Sequence, residues 1–263
     1  MSLEQNRQEI IDRGFTFLEN VIPDDKIDEL REDVRQTVLG NSTRPYPVGH
    51  TPGFFRLNQA LCPYVVDDRM LNLVESLFGA FYRISFTTGV INGAGIPRGA
   101  WHADWPYNQR NASHVPAPYP DVLMHLVSFW MLTDFTTENG GTLFVPGSHR
   151  RSDYPREGGI PADPNAPYPG EQQFAARRGT VAVMDARVWH SVAENRSGAD
   201  RVAVIVRWAP WWLNLDPVRP GTRDRDLMQR SGMPDNEVQG IPRAVFETMP
   251  EKIKPLLYYS VVE

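Results

Sequence analysis

Apolar positions recur at helical spacing in the first part of the chain and give way to short β-branched runs further on. Ile27, Leu30, Val34, Val38 and Leu39 follow the spacing of one helix face. Pro23-Asp24-Asp25 supplies a helix start with acid in its first turn, and Gly40-Asn41 supplies a stop. Residues 3–39 therefore read as helical, with Phe15, Phe17 and Leu18 an apolar cluster after Gly14. A second periodic stretch runs from about Met70 to Phe78 and ends at Gly79.

The character then changes. Phe86–Asn92, Thr142–Val145, Thr180–Met184 and Val202–Val206 are short runs bounded by Gly, Pro, Asn and Asp. Such runs read as strands of an all-β barrel or sandwich. Val122–Leu132 is apolar almost throughout, so period alone does not assign it. Helices first and strands after predict a mainly β protein with helices packed outside a β core. Residues 106–121 and 151–173 are rich in Pro, Gly, Asn and Asp and read as long loops, either lids or excursions. The tail from about Asp216 is polar and Pro-rich, then weakly helical around Ala244–Leu257. The expectation is one domain over 1–263: a helical part at about 1–80, a β core at about 81–212 and a C-terminal extension at about 213–263.

Composition narrows the function. With 263 residues, 41% of them hydrophobic, the chain can bury a sizeable core. A formal charge of −5, without runs of one sign, argues against a nucleic-acid surface. One cysteine, Cys62, excludes an internal disulfide and fits a reducing compartment. No stretch approaches the roughly 18 apolar residues of a membrane helix, and the first residues lack an apolar signal core. These features lead to an expectation of a cytoplasmic protein with a small-molecule partner, no nucleic acid and no membrane. The oligomeric state is not legible.

Candidate chemistry centres on Trp101-His102-Ala103-Asp104-Trp105. Residues two apart on a strand point to one side, so His102 and Asp104 can reach a single ion. His190, in Trp189-His190-Ser191 after the Thr180 strand, offers a third donor. Two histidines and one carboxylate on one face of an octahedral ion leave three positions open, as in non-haem Fe(II) oxygenases. Arg201 opens the run Val202–Val206, and its planar guanidinium suits a dicarboxylate; a salt bridge to Asp200 or Glu194 is the structural alternative. Trp105, Tyr107, His114, Arg207 and Arg98 are candidate substrate contacts, as are Trp208, Trp211 and Trp212 at the mouth. Of the remaining histidines, His149 reads as a turn residue, His125 as a core residue and His50 as loop.

Trp101-His-Ala-Asp104, the run Leu132–His149 with its Asn-Gly and Pro-Gly-Ser-His, Trp189-His190 and Arg201 together resemble the phytanoyl-CoA dioxygenase family of Fe(II)/2-oxoglutarate oxygenases. The opening Arg13–Asp25 is also similar, so the likeness spans about residues 8 to 212. It implies a double-stranded β-helix, a jelly roll of the cupin kind. It implies Fe(II) held by His102, Asp104 and His190, 2-oxoglutarate held by Arg201 and Thr142, and O₂ as oxidant. Phe129 stands where many members carry Trp against the co-substrate, and here the Trp is its neighbour Trp130. The implied reaction is hydroxylation of a small organic molecule with release of succinate and CO₂. Related halogenases lack the carboxylate that Asp104 retains. Two other readings stay open: a cupin-type metalloenzyme that does not use 2-oxoglutarate, and a non-catalytic ligand-binding barrel. The resemblance does not specify the substrate.

Overall fold

The computed structural model describes residues 1–104, 117–155, 163–230 and 239–263. In chain order it contains α1 (Leu3–Arg13), β1 (Phe15–Leu18), α2 (Asp24–Asn41), β2 (Val48–Pro52), α3 (Phe54–Leu57), α4 (Cys62–Val65), α5 (Asp68–Phe78), β3 (Tyr82–Asn92) and β4 (Leu126–Met131). It continues through β5 (Leu143–Phe144), β6 (Gln172–Gln173), β7 (Val181–Asp185), β8 (His190–Ser191), β9 (Arg201–Pro210), α6 (Arg223–Arg230), β10 (Ile241–Pro242), α7 (Arg243–Thr248), α8 (Lys254–Leu257) and β11 (Val261–Val262). The major sheet runs β1-β7-β4-β9-β3-β2 and the minor sheet β6-β5-β8, and the pairs within both are antiparallel. The mainly β architecture with flanking helices is the one expected.

Helix ends follow local chemistry. Ser2 and Gln5 form a capping box on α1, and Gly14, at φ 90°, closes it with its N–H on the Ile10 carbonyl. That stop corrects the expectation of a helix over residues 3–39. Phe15–Leu18 is a strand, β1, paired with β7 in the register Phe15↔Met184 to Leu18↔Val181. A positive φ cannot be continued as helix, and the aromatic run that follows packs better on a sheet. Thr16 Oγ1 ties β1 back to α1 through Asn6 and Glu9.

The central strands β4 and β7 of the major sheet are buried on both faces, which is why Leu126–Met131 shows no alternation of polar and apolar residues. In β9, Val202, Val204, Val206 and Trp208 join Ile27, Leu30, Val34 and Val38 of α2 in an outer core. Their alternates Arg201, Ala203, Ile205 and Arg207 face an inner cavity. The inner core between the sheets combines Phe129, Met131, Met184 and Ala203 with Leu143, Phe144 and Trp189. In β3 the ladder to β9 shifts between Ile84 and Phe86, leaving Ser85 extra. This bulge turns Phe86 inward while Ile84 stays in the outer core. The C-terminal segment also packs on the outer core, through Ile241, Phe246, Ile253 and Leu256.

Gly89 of β3 faces the helices. A Cβ there would lie 2.6 Å from Phe54 Cδ2 and 2.6 Å from Val38 Cγ2. Gly89→Ala is expected to force α2 and α3 outward and cost about 1–3 kcal/mol. The check is the midpoint of urea unfolding, and an unchanged midpoint would show that this contact is not tight.

Candidate metal centre

His102 lies after β3, in a bridge to His190 of β8. Each donates its backbone N–H to the other's carbonyl, at 3.0 and 2.8 Å. Asp104 is fixed two residues on by its N–H to the Ala186 carbonyl, at 2.8 Å. One side-chain donor atom from each of His102, Asp104 and His190 falls within 4.8 Å of the others. His102 Nδ1 pairs with the Ala100 carbonyl at 3.0 Å and His190 Nδ1 with the Val188 carbonyl at 2.8 Å. Those bonds set the tautomer and leave both Nε2 atoms as lone-pair donors. Two imidazoles and one carboxylate with this spacing fit a mononuclear transition-metal ion.

Arg207 Nη2 donates to Asp104 Oδ1 at 2.7 Å, while Oδ2 faces His190 Nε2 at 3.7 Å. Burial by itself raises the Asp104 pKa, but Arg207, with His190 and His102, outweighs it and holds the carboxyl down to about 2. The carboxylate is therefore available as an anionic donor. The anionic contact expected for Arg207 is thus made within the protein. Behind the site, His125 is buried and pairs with Ser85 Oγ at 2.5 Å through Nε2, as a satisfied core residue. His149 is buried in a short 3₁₀ turn, with Nε2 on the Ile11 carbonyl at 3.0 Å.

The three donor residues open into a cavity of about 610 Å³ that Phe129, Thr142, Arg201 and Arg207 also line. Arg201 is 4% exposed, stacks at 4.3 Å over Phe135, and its Nε has no hydrogen-bond partner among the described residues. Among the described residues the salt-bridge alternative does not form: Asp200 pairs with Arg35 and Tyr46, and Glu194 with Arg196. Burial pulls the Arg201 pKa down to about 9, which still leaves it cationic at neutral pH. Phe129 meets the His190 ring edge-on at 6.4 Å between centroids.

Other expected contacts fall elsewhere. Arg98 forms a two-pronged pair with Glu171 and stacks over Trp101, so its charge is satisfied away from the cavity. Trp208 is buried on the opposite face of β9 with Nε1 on Ser128, and Trp211 and Trp212 are exposed rather than cavity-lining. Trp105, Tyr107 and His114 lie outside the described residues, as do parts of both long loops. The reading of the sequence missed His50 and Arg44. His50 belongs to β2, not a loop, and both line the cavity. Gly49 and Pro52 mask that strand, and only its intermediate-buried alternation marks it.

A jelly roll enclosing a candidate two-histidine, one-carboxylate centre is the class that fold and site define. The chain belongs to the phytanoyl-CoA dioxygenase (PhyH) family, whose profile matches residues 11–203. It is 27% identical over 196 residues to "Dioxygenase af480" of Aspergillus fumigatus, covering 74% of this chain and 54% of that protein. It is 33% identical over 104 residues to the uncharacterized protein Rv1501 of Mycobacterium tuberculosis, covering 36% of this chain and 33% of the other. The chain thus spans about half, or less, of the length of these curated relatives. Among solved structures, the epimerase SnoN in complex with Fe3+, alpha ketoglutarate and nogalamycin RO superposes with a TM-score of 0.62 at 18% identity, over 79% of this chain and 83% of that one. HygX from Streptomyces hygroscopicus, with nickel, 2-oxoglutarate and hygromycin B bound, gives a TM-score of 0.63 at 14% identity, over 85% and 93%. These likenesses establish the fold.

Two predictions follow from the geometry. Arg207→Lys keeps the charge beside Asp104 but loses the planar fork, so it isolates the orienting role. It is expected to weaken Mn(II) or Fe(II) binding by about tenfold in an anaerobic titration, and unaltered affinity would exclude that role. The second concerns acid. Burial, mainly, lowers the pKa of His190 to about 4, of His50 to about 4 and of His125 to about 3. The unfolded chain, with ordinary imidazoles, takes up protons first as pH falls. Stability is therefore full above about pH 6.5 and is lost toward pH 4, by about 1 kcal/mol or more per histidine. Urea midpoints of the metal-free protein at pH 7.5 and 5 measure this, and equal midpoints would refute it.

Proposed function

We propose that this chain is a non-haem Fe(II)- and 2-oxoglutarate-dependent dioxygenase that hydroxylates a small organic substrate. The observation that carries the reading is Arg201: a buried, cationic guanidinium without an ionic partner among the described residues, lining the same cavity as the three donor residues. An uncompensated buried cation is costly, and a bound dicarboxylate relieves that cost. The membership of the PhyH family supports the reading, as do structural neighbours solved with iron or nickel and with 2-oxoglutarate. The cupin-type alternative without 2-oxoglutarate leaves Arg201 unexplained.

In this reading His102, Asp104 and His190 hold the metal, and Arg201, helped by Thr142, fixes the distal carboxylate of 2-oxoglutarate. Iron, 2-oxoglutarate and O₂ together supply oxidation of an unactivated C–H bond with release of succinate and CO₂. Arg207 donates to Asp104 Oδ1, so Oδ2 is the oxygen that would be left to hold a metal. Phe129, Val127 and Ile205 give the cavity apolar walls that exclude water from the reacting centre. Asp104 is the carboxylate that related halogenases lack, and its presence favours hydroxylation. The outer core that joins helices, strands and C-terminal segment supports a single domain over 1–263. No helix among the described residues is long and apolar enough to cross a membrane. The single buried cysteine is consistent with a cytoplasmic setting.

Anaerobic addition of Fe(II) and 2-oxoglutarate should produce a weak visible charge-transfer band that needs both. His190→Ala should abolish it, and Arg201→Ala should raise the 2-oxoglutarate needed for half-saturation by roughly tenfold or more. Absence of the band in protein holding one iron would overturn the assignment.

A further inference from the structure

One wall of the cavity has no role in that scheme. β2 lies at the edge of the major sheet beside β3, so Val48 and His50 turn inward next to Phe86, Thr88 and Val90. Arg44, just before β2, lines the same cavity. It is exposed, and among the described residues its guanidinium forms no ion pair; the acid across from this region, Asp200, is already committed to Arg35 and Tyr46. His50 Nδ1 lies 3.2 Å from Thr43 Oγ1, and its Nε2 makes no hydrogen bond to the described residues. The β2 wall thus offers one unengaged cation and one unengaged ring nitrogen, in the cavity that Val90 and Phe86 also line, with the Arg207 guanidinium 4.9 Å over one side of the Phe86 ring.

The charge of the cavity is unbalanced in the same direction. Among its described lining residues Arg44, Arg201 and Arg207 are cationic, and Asp104 is the one carboxylate. With a divalent metal the balance is +4, and the two carboxylates of 2-oxoglutarate reduce it to +2. A cavity of about 610 Å³ also has space beyond a five-carbon diacid.

We propose that the substrate carries an oxyanion, a carboxylate or a phosphate monoester, held by Arg44 and His50 at the β2 wall while its apolar body lies along Phe86 and Val90. The proposal rests on the 2-oxoglutarate reading and deepens it. A bound oxyanion selects the His50 tautomer in which Nε2–H donates to it, and the Thr43 hydroxyl then turns from the His50 carbonyl, 3.0 Å away, to donate to Nδ1. Arg44 adds a charge-assisted hydrogen bond.

The test is anaerobic calorimetry on the 263-residue chain loaded with Mn(II) and saturating 2-oxoglutarate, titrated with hexanoate, hexyl phosphate or neutral hexanamide. At least one anion is expected to bind about tenfold tighter than hexanamide, and whichever leads identifies the oxyanion. Arg44→Gln should erase the preference, and His50→Ala should weaken the preferred anion by about threefold or more. Equal or absent binding of the three probes overturns the proposal, as does an anion preference that survives Arg44→Gln. Displacement of 2-oxoglutarate by hexanoate also overturns it, because that places the probe on Arg201. Failure of 2-oxoglutarate itself to bind in a metal-dependent way would instead sink the dioxygenase reading.

Discussion

Burial of the central strands of the major sheet on both faces is the constraint on which the rest of the molecule depends. A strand has two faces, and β9 uses both: Val202, Val204, Val206 and Trp208 anchor it to the helices, and Arg201, Ala203, Ile205 and Arg207 build the cavity. Because the outer residues lock the register, the inner ones have no freedom to slip. Pairing with β3 sets Arg201 against Asn92 and Arg207 against Phe86, at opposite ends of the strand. At about 3.3 Å per residue they stand roughly 20 Å apart along the backbone. Their side chains therefore serve two ends of one space, one beside Asp104 and one beside Phe135. The helices exist, in this sense, to hold the chemistry in register.

Electrostatics then works against stability in favour of a site. Arg201 and Arg207 both keep an unpartnered buried Nε, and His190 and His125 are buried neutral. Each costs desolvation that apolar residues would not. The surrounding core compensates: Trp101, Trp130, Trp189 and Trp208 are almost fully buried. The Arg207–Asp104 pair offsets part of that cost, since each partner would be worse alone.

The sequence carried most of the strands, and short-range spacing marked His102 and Asp104 two apart and Arg201 at the head of an apolar run, which is where the structure has them. It carried β1 poorly. Helical periodicity on either side of Phe15–Leu18 swamped a four-residue strand, and only the left-handed Gly14 marks the break. It also missed His50, whose inward direction depends on pairing with Val90, a contact across forty residues. The satisfied state of Arg98 was invisible for the same reason, since Glu171 is brought to it by the minor sheet rather than by the chain nearby. Tertiary partners decide whether a charge is free, and spacing along a chain does not encode them.

The reciprocal backbone bonds between His102 and His190 have a consequence for how the centre is assembled. Residues far apart in sequence are stitched together by the peptide chain itself, and each imidazole is further pinned by a carbonyl two residues before it. The spacing of the three side chains is thus tied to the pairing of the backbone, and a substitution that breaks this bridge would displace both imidazoles without touching either ring.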